Sequence, residues 1–360
     1  MWIYLLLFSG LFMGWSLGTN DAANAFGTAV ATRVVRYRTA VIIIAIMVVL
    51  GAAVQGKGNI NKLSELATSN EVIASHEEVM DIEDDEDEMK KARLKSTLKA
   101  AIIFACAALT VFVMSYMKFP VSANQSITGA IIGWGLFHAN YGDPEVLATN
   151  LPQIGKFAIT WLINPLGAAI ISFVLVLLVK KFLEKRILGM SHYDTFIKCG
   201  YLIAGAVAAY SIGVNSSASV TALYYDATGL GANLLSSATL TAVIGGLAIA
   251  VGVLTFSKRV MMTVGGSIAE LNQVEGFLVI ISMALTILSM EKLMGIPVST
   301  SQAVVGAVIG AGLVTSIKTK SLSNVNFKVF GRIGIAWVSS PTVAGLLTYL
   351  VAVATQGYFA

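Results

Sequence analysis

Apolar runs long enough to cross a bilayer recur from one end of the chain to the other, and they constrain its fold more than any motif does. A spanning helix needs about 20 predominantly apolar residues. Such runs stand at 39–55, 98–117, 156–180 and 274–293. Charged residues make up 12% of the chain, about half the share of roughly 25% usual in a soluble domain. With no water to satisfy backbone groups in the hydrocarbon layer, each run must be a helix. The chain is therefore expected to be an all-α integral protein of the cell membrane, multi-pass. The same composition argues against a soluble enzyme. A net charge of +4 from dispersed Lys and Arg forms no patch for nucleic acid. Cys106 and Cys199 sit in apolar stretches and read as small buried hydrophobes rather than a disulfide. Met1 opens an apolar run without a basic segment or a small-residue cleavage site, so that run is expected to belong to the mature protein.

One segment of that first run breaks the apolar rule. Gly18-Thr19-Asn20-Asp21-Ala22-Ala23-Asn24-Ala25 holds a carboxylate and two amides at membrane depth. An ionisable side chain there costs several kcal/mol unless it meets a partner, an ion or a water-filled cavity, so it marks function before anything else. Gly18 and the short polar residues are expected to break the helix, leaving half-length pieces at 2–17 and 22–32 and freeing backbone groups to bind ions.

Further along, a polar stretch from Gly56 to Lys99 holds an acidic run from Glu77 to Glu88 and reads as a solvated loop, with 57–97 its core. The span at 98–117 leads into Pro120-Val121-Ser122-Ala123-Asn124-Gln125-Ser126-Ile127-Thr128-Gly129 and a short apolar piece to about Phe137, which reads as a re-entrant hairpin. Much of this order returns in the second half. Gly213-Val214-Asn215-Ser216-Ser217-Ala218-Ser219 answers the first motif, Pro297-Val298-Ser299-Thr300-Ser301-Gln302 answers the hairpin, and Trp337 and Pro341 answer Trp161 and Pro165. The chain thus divides into a first repeat at 1–180, a basic connecting loop at 181–198 and a second repeat at 199–360. Three true spans and two re-entrant or broken-helix hairpins per repeat would invert one relative to the other, as in many secondary transporters. If residues 1–32 cross as one helix instead, four crossings per half would leave the halves parallel. On the inverted arrangement one face carries all but seven of the 24 Lys and Arg, which makes it cytoplasmic and puts both termini outside.

Each Pro-Val-Ser motif would aim helix N-terminal amides and hydroxyls at the midplane, a ready site for a tetrahedral oxyanion. Ser122, Ser126, Thr128, Ser299, Thr300 and Ser301 add hydroxyls, and Asn124, Gln125 and Gln302 add amides. These side chains could equally cap helix ends or hold helices together. Asn20, Asp21, Asn24, Asn215, Ser216 and Ser219 offer hard oxygen ligands for a small cation. A cation beside an anion lowers the cost of holding both in a low dielectric, which is a reason to couple their fluxes. Asp21 could also carry a proton. Glu270 and Glu275 are expected at the lip of the membrane, and the glycines near the hairpins are expected to serve packing.

In these motifs the chain resembles the inorganic phosphate transporter (PiT) family over nearly its whole length. The resemblance implies a symporter that moves phosphate with Na+, or with H+ in some members, through a site between two inverted repeats. It carries family roles onto Asn20, Asp21, Asn24, Ser122, Gln125, Asn215, Ser299, Thr300 and Gln302. Two departures stand out. The second motif lacks the Asp and the final Asn that the family repeats, which leaves the number of coupled ions open. Gln125 and Gln302 occupy positions where many members have His. A sulfate permease of the same family, a passive anion channel and, behind these, an intramembrane enzyme are the alternatives. The partners expected are phosphate or sulfate and the lipid bilayer, with a homo-oligomer left open.

Overall fold

The computed structural model describes residues 2–69, 86–117, 121–141, 145–182, 192–227, 237–258, 261–262, 271–294, 298–319 and 327–358. Twelve α-helices of ten residues or more follow in order among them: α1 (Trp2–Ala31), α2 (Tyr37–Gln55), α3 (Lys57–Ser69), α4 (Glu86–Tyr116), α5 (Ala123–Tyr141), α6 (Glu145–Phe182), α7 (Tyr193–Ser216), α8 (Ala218–Ala227), α9 (Ala238–Phe256), α10 (Gln273–Met294), α11 (Thr300–Thr319) and α12 (Phe327–Ala354). Among the described residues, eight helical stretches are long and apolar enough to cross a membrane. Leu162, Ile170, Ile335 and Val338 lie exposed on the outer surface, where a bilayer replaces water as the solvent.

The first polar motif does not break its helix. α1 runs unbroken through Gly18 and Asp21, and the Thr19 hydroxyl donates to the Ser16 carbonyl 2.7 Å away. Gly18 is there for contact: a Cβ at this position would stand 2.1 Å from the Ile249 carbonyl oxygen of α9. A break appears only in the second motif, where α7 ends at Ser216 and α8 starts at Ala218. α1 ends where Arg33 turns left-handed at φ 62° and the Val35 N–H returns to the Ala29 carbonyl at 3.1 Å. The expected loop at 57–97 is also partly helical. α3 buries Ile60, Leu63 and Leu66 at helical spacing, and Glu86 to Thr97 form the first turns of α4. Residues 70–85, with most of the acidic run, lie outside the described residues, as do Pro120, Glu270 and Pro297. At 181–198, the helices reach in to Phe182 and start again at Tyr193. Cys106 is buried as expected, but Cys199 is exposed, because its face of α7 points outward.

Packing divides the helices into a central group, α1, α2, α7, α8 and α9, and two three-helix arms. One arm is α4, α5 and α12; the other is α10, α11 and α6. Each arm thus joins the hairpin of one half to the last long helix of the other. The close approaches match across the two arms: Gly129 of α5 abuts the Pro341 backbone, and Gly306 of α11 abuts the Pro165 backbone. In the central group, Gly56 lies beside Ala242 and Gly246 beside Ala52, so α2 and α9 run antiparallel. The unforeseen α3 changes the count of segments between the motifs.

The second arm is tied at its outer end by charge. Lys180 of α6 forms an ion pair with Glu275 of α10 at 2.5 Å and donates to the Thr315 hydroxyl of α11 at 3.0 Å, while Thr315 donates to Glu275 at 2.8 Å. Glu275 also accepts from the Asn272 N–H and its own N–H bonds the Asn272 side chain, both at 2.9 Å, which closes a cap on α10. At 3% exposure Glu275 is a buried anchor in the first turn of α10. Removing one partner of such a pair strands a buried charge and costs about 3–5 kcal/mol. Lys180→Met and Glu275→Gln are each expected to lower the thermal midpoint of the purified protein more than the double change Lys180→Met, Glu275→Leu does. Equal losses from all three would mean that the charges do not interact.

Candidate functional site

The N-termini of α5 and α11 meet in the buried interior. Ser122 and Ser299 cap them, each hydroxyl oxygen accepting from the backbone N–H three residues on, Gln125 and Gln302, both at 3.2 Å. The N–H groups ahead of the capped one in each first turn have no acceptor within their own helix, and the helix dipoles add partial positive charge there. Two such ends converge on one region. Because the capping oxygens accept, the O–H hydrogens of Ser122 and Ser299 remain free to donate.

A crossed set of side-chain bonds holds the two ends together. Asn124 donates to the Val298 carbonyl at 2.6 Å, and Ser301 donates to the Val121 carbonyl at 2.7 Å. The broken second motif joins from one side: Ser219 donates to Asn124 Oδ1 at 2.5 Å. Asn215 accepts from the Val298 N–H and donates to the Val298 carbonyl, both at 2.7 Å. From α1, Asn24 reaches Asp21 Oδ1 and Thr300 Oγ1 at 3.3 Å and Ser301 Oγ at 3.5 Å. Asp21 is 3% exposed, and Asn20, Asn24, Asn215, Ser216 and Ser219 are buried beside it or across from it. All fifteen residues singled out from the sequence are buried, so this is a conformation closed to solvent.

Their roles differ in detail. The hydroxyls of Ser126 and Thr128 donate back along α5 to the Ser122 and Asn124 carbonyls at 3.1 and 2.9 Å, which is local helix bonding. Asn20 turns away from α11 and donates to Ser115 of α4 at 2.8 Å. Its Oδ1 has no partner, and neither has Gln125 Oε1 or Gln302 Oε1. A buried acceptor without a donor costs about 1–3 kcal/mol. Sequence reasoning missed Asn164, whose side chain donates to the Ser299 carbonyl at 2.7 Å, and its counterpart Ser340, also fully buried. Each directly precedes a proline matched between the halves, Pro165 and Pro341, and that was the available signal.

A family model described as "Phosphate transporter family" matches residues 17–348. The chain belongs to this family. Phosphate transporter relatives that it resembles include a Pyrococcus abyssi protein named as a phosphate permease, 27% identical with 97% of each chain covered. A Methanocaldococcus jannaschii protein of the same designation is 27% identical, with 97% of this chain and 96% of the relative covered. Among solved structures, one titled "The sodium-dependent phosphate transporter" aligns over 99% of both chains with a TM-score of 0.74 at 21% identity, a likeness of fold. As a phosphate transporter family member with eight stretches among the described residues long and apolar enough to span a bilayer, this is a multi-pass membrane protein and a transporter, not an enzyme.

Proposed function

We propose that the chain is a symporter of inorganic phosphate coupled to sodium, working by alternating access between two inverted repeats, 1–180 and 199–360. The observation that carries this is the meeting of two capped helix N-termini beside a buried carboxylate and unpartnered oxygens. The free N–H groups of α5 and α11, with the hydroxyls of Ser122, Ser299 and Thr300, bind phosphate oxygens. Asp21 and Asn20 Oδ1 supply the hard oxygens that a sodium ion requires, and the ion offsets part of the phosphate charge. Ser216, where the family has its second Asp, leaves the other half without that carboxylate, so one strongly bound cation is expected on this side of the pair.

Phosphate is favoured over sulfate by the unpartnered acceptors. Near neutral pH phosphate keeps at least one O–H, which Gln125 Oε1 or Gln302 Oε1 can accept, whereas sulfate has none to give. A site built around such a bond discriminates strongly against an analogue that lacks it. The antiparallel run of α2 and α9 supports inversion of the repeats, and the exchange of long helices between arms gives each arm contacts to both halves. The structural relative's title supports sodium as the driving ion.

The test is uptake of labelled phosphate and labelled sulfate into proteoliposomes under a sodium gradient, a proton gradient, or neither. Concentrative phosphate uptake that needs sodium is expected. Sulfate uptake driven by protons would overturn both the substrate and the ion, and uptake that only equilibrates would make the protein a channel.

A further inference from the structure

A cavity of about 570 Å³ lies outside the binding region, between α5 and α12 with Trp161 of α6 at its edge. Its size falls within the roughly 300–1,000 Å³ of small-molecule sites. Gly129, Gly133, Leu136, Gly345 and Leu346 form an apolar floor and wall, and Asn140 and Tyr349 stand at one end. Leu136 and Leu346 are 39% and 57% exposed, so the groove opens on the surface that faces lipid. Along α5, Gly129 to Asn140 is a rise of about 16 Å, close to one leaflet's share of a hydrocarbon core about 30 Å thick. The polar end coincides with the C-terminal turn of α5, and the Asn140 amide donates to the Tyr349 hydroxyl there at 3.1 Å.

The other arm provides a comparison within the same molecule. Positions related by the repeat place Ile317 opposite Asn140, Leu166 opposite Thr342 and Phe173 opposite Tyr349. At these three positions this arm carries polar groups where the other carries hydrocarbon. A polar side chain facing lipid is unfavourable, and an apolar channel with a polar end matches an amphiphile aligned with the bilayer normal. We propose that this groove is a binding site for one acyl chain of a membrane phospholipid, with its ester and glycerol region against Asn140 and Tyr349. Tyrosine at that depth is suited to the boundary between chains and headgroups. The occupant is a lipid chain because the groove opens sideways into the bilayer, where an unfilled groove forfeits packing contacts along its whole length. The inference depends only on the protein's place in the membrane and stands apart from the transport reading.

The full chain is reconstituted with a phospholipid carrying a photoactivatable diazirine on its acyl chain, irradiated, digested and mapped by mass spectrometry. Peptides around Leu136 and Leu346 are expected to carry severalfold more label than the flat lipid-facing surface of α2 around Ile42 and Ile46, which are 54% and 55% exposed. Excess unlabelled phospholipid should compete the excess label away. In Asn140→Ile with Tyr349→Phe, which puts the counterpart side chains at the polar end, groove label should fall to the α2 level with α2 label unchanged. Equal labelling of groove and α2 in the unaltered protein would overturn the proposal. Groove label that survives the double change would overturn the role given to the polar end. If that variant fails to fold, the groove-to-α2 ratio and the competition in the unaltered protein still decide the question.

Discussion

Replacing Asp21 with asparagine is expected to abolish concentrative phosphate uptake while the protein stays folded. The side chain keeps its size and can still meet Asn24, whose amide lies 3.3 Å from Asp21 Oδ1, so packing is preserved. What goes is the negative charge that pairs with the cation. Two unit charges 4 Å apart interact by about 4 kcal/mol at an effective dielectric near 20, which is about three decades of affinity. Sodium at ordinary concentrations would then no longer bind, and phosphate would lose the positive charge beside it. The measurement is sodium-driven uptake into proteoliposomes, paired with the thermal midpoint of the same preparation. Uptake at the unaltered rate would place the driving ion elsewhere. Loss of uptake together with loss of the folded state would show that Asp21 is structural.

Much of the helical plan was legible because bilayer helices announce themselves by length: the runs at 39–55 and 156–180 lie within α2 and α6. The misreadings cluster where polarity and helix formation part company. Gly18, Asn20 and Asp21 looked like a break because glycine and short polar residues disfavour a helix in water. In a packed interior their backbone is satisfied within α1, and Gly18 serves the close approach of α9. α3 was hidden among Lys57, Asn61, Lys62 and Glu65, yet Ile60, Leu63 and Leu66 already stood at helical spacing on one face. The exchange of α6 and α12 between arms could not be read at all, since nothing along the chain says which hairpin a long helix will pack against.

At the site, residue types were readable and their division of labour was not. The paired Pro-Val-Ser motifs pointed to two helix N-termini, and Ser122 and Ser299 do cap α5 and α11. Whether a buried hydroxyl faces a ligand or its own helix depends on a rotamer, which is why Ser126 and Thr128 looked equivalent to Ser122 in the sequence. Asn20 and Asn215 are the clearest case. They hold matching places in the two motifs, but one bonds α4 and the other grips the turn before α11.

That difference gives opposite expectations for the same substitution. Asn215→Ala removes two bonds of 2.7 Å and leaves the Val298 N–H and carbonyl short of a partner in the interior, although Asn124 still donates to that carbonyl at 2.6 Å. Each buried group left unsatisfied costs about 1–3 kcal/mol, so a clear drop in thermal midpoint is expected, with α11 mispositioned and uptake lost at every sodium concentration. Asn20→Ala removes one bond to Ser115 and an oxygen that already lacks a partner. Its stability should change by about 1 kcal/mol or less. If Asn20 Oδ1 is a sodium ligand, the sodium concentration for half-maximal uptake should rise about tenfold, the change that about 1.4 kcal/mol brings, while the maximal rate at saturating sodium is kept. Titrating uptake against sodium for both variants separates the roles. An unchanged sodium dependence in Asn20→Ala would remove that oxygen from the cation site and leave its lack of a partner as a fixed cost of the closed conformation.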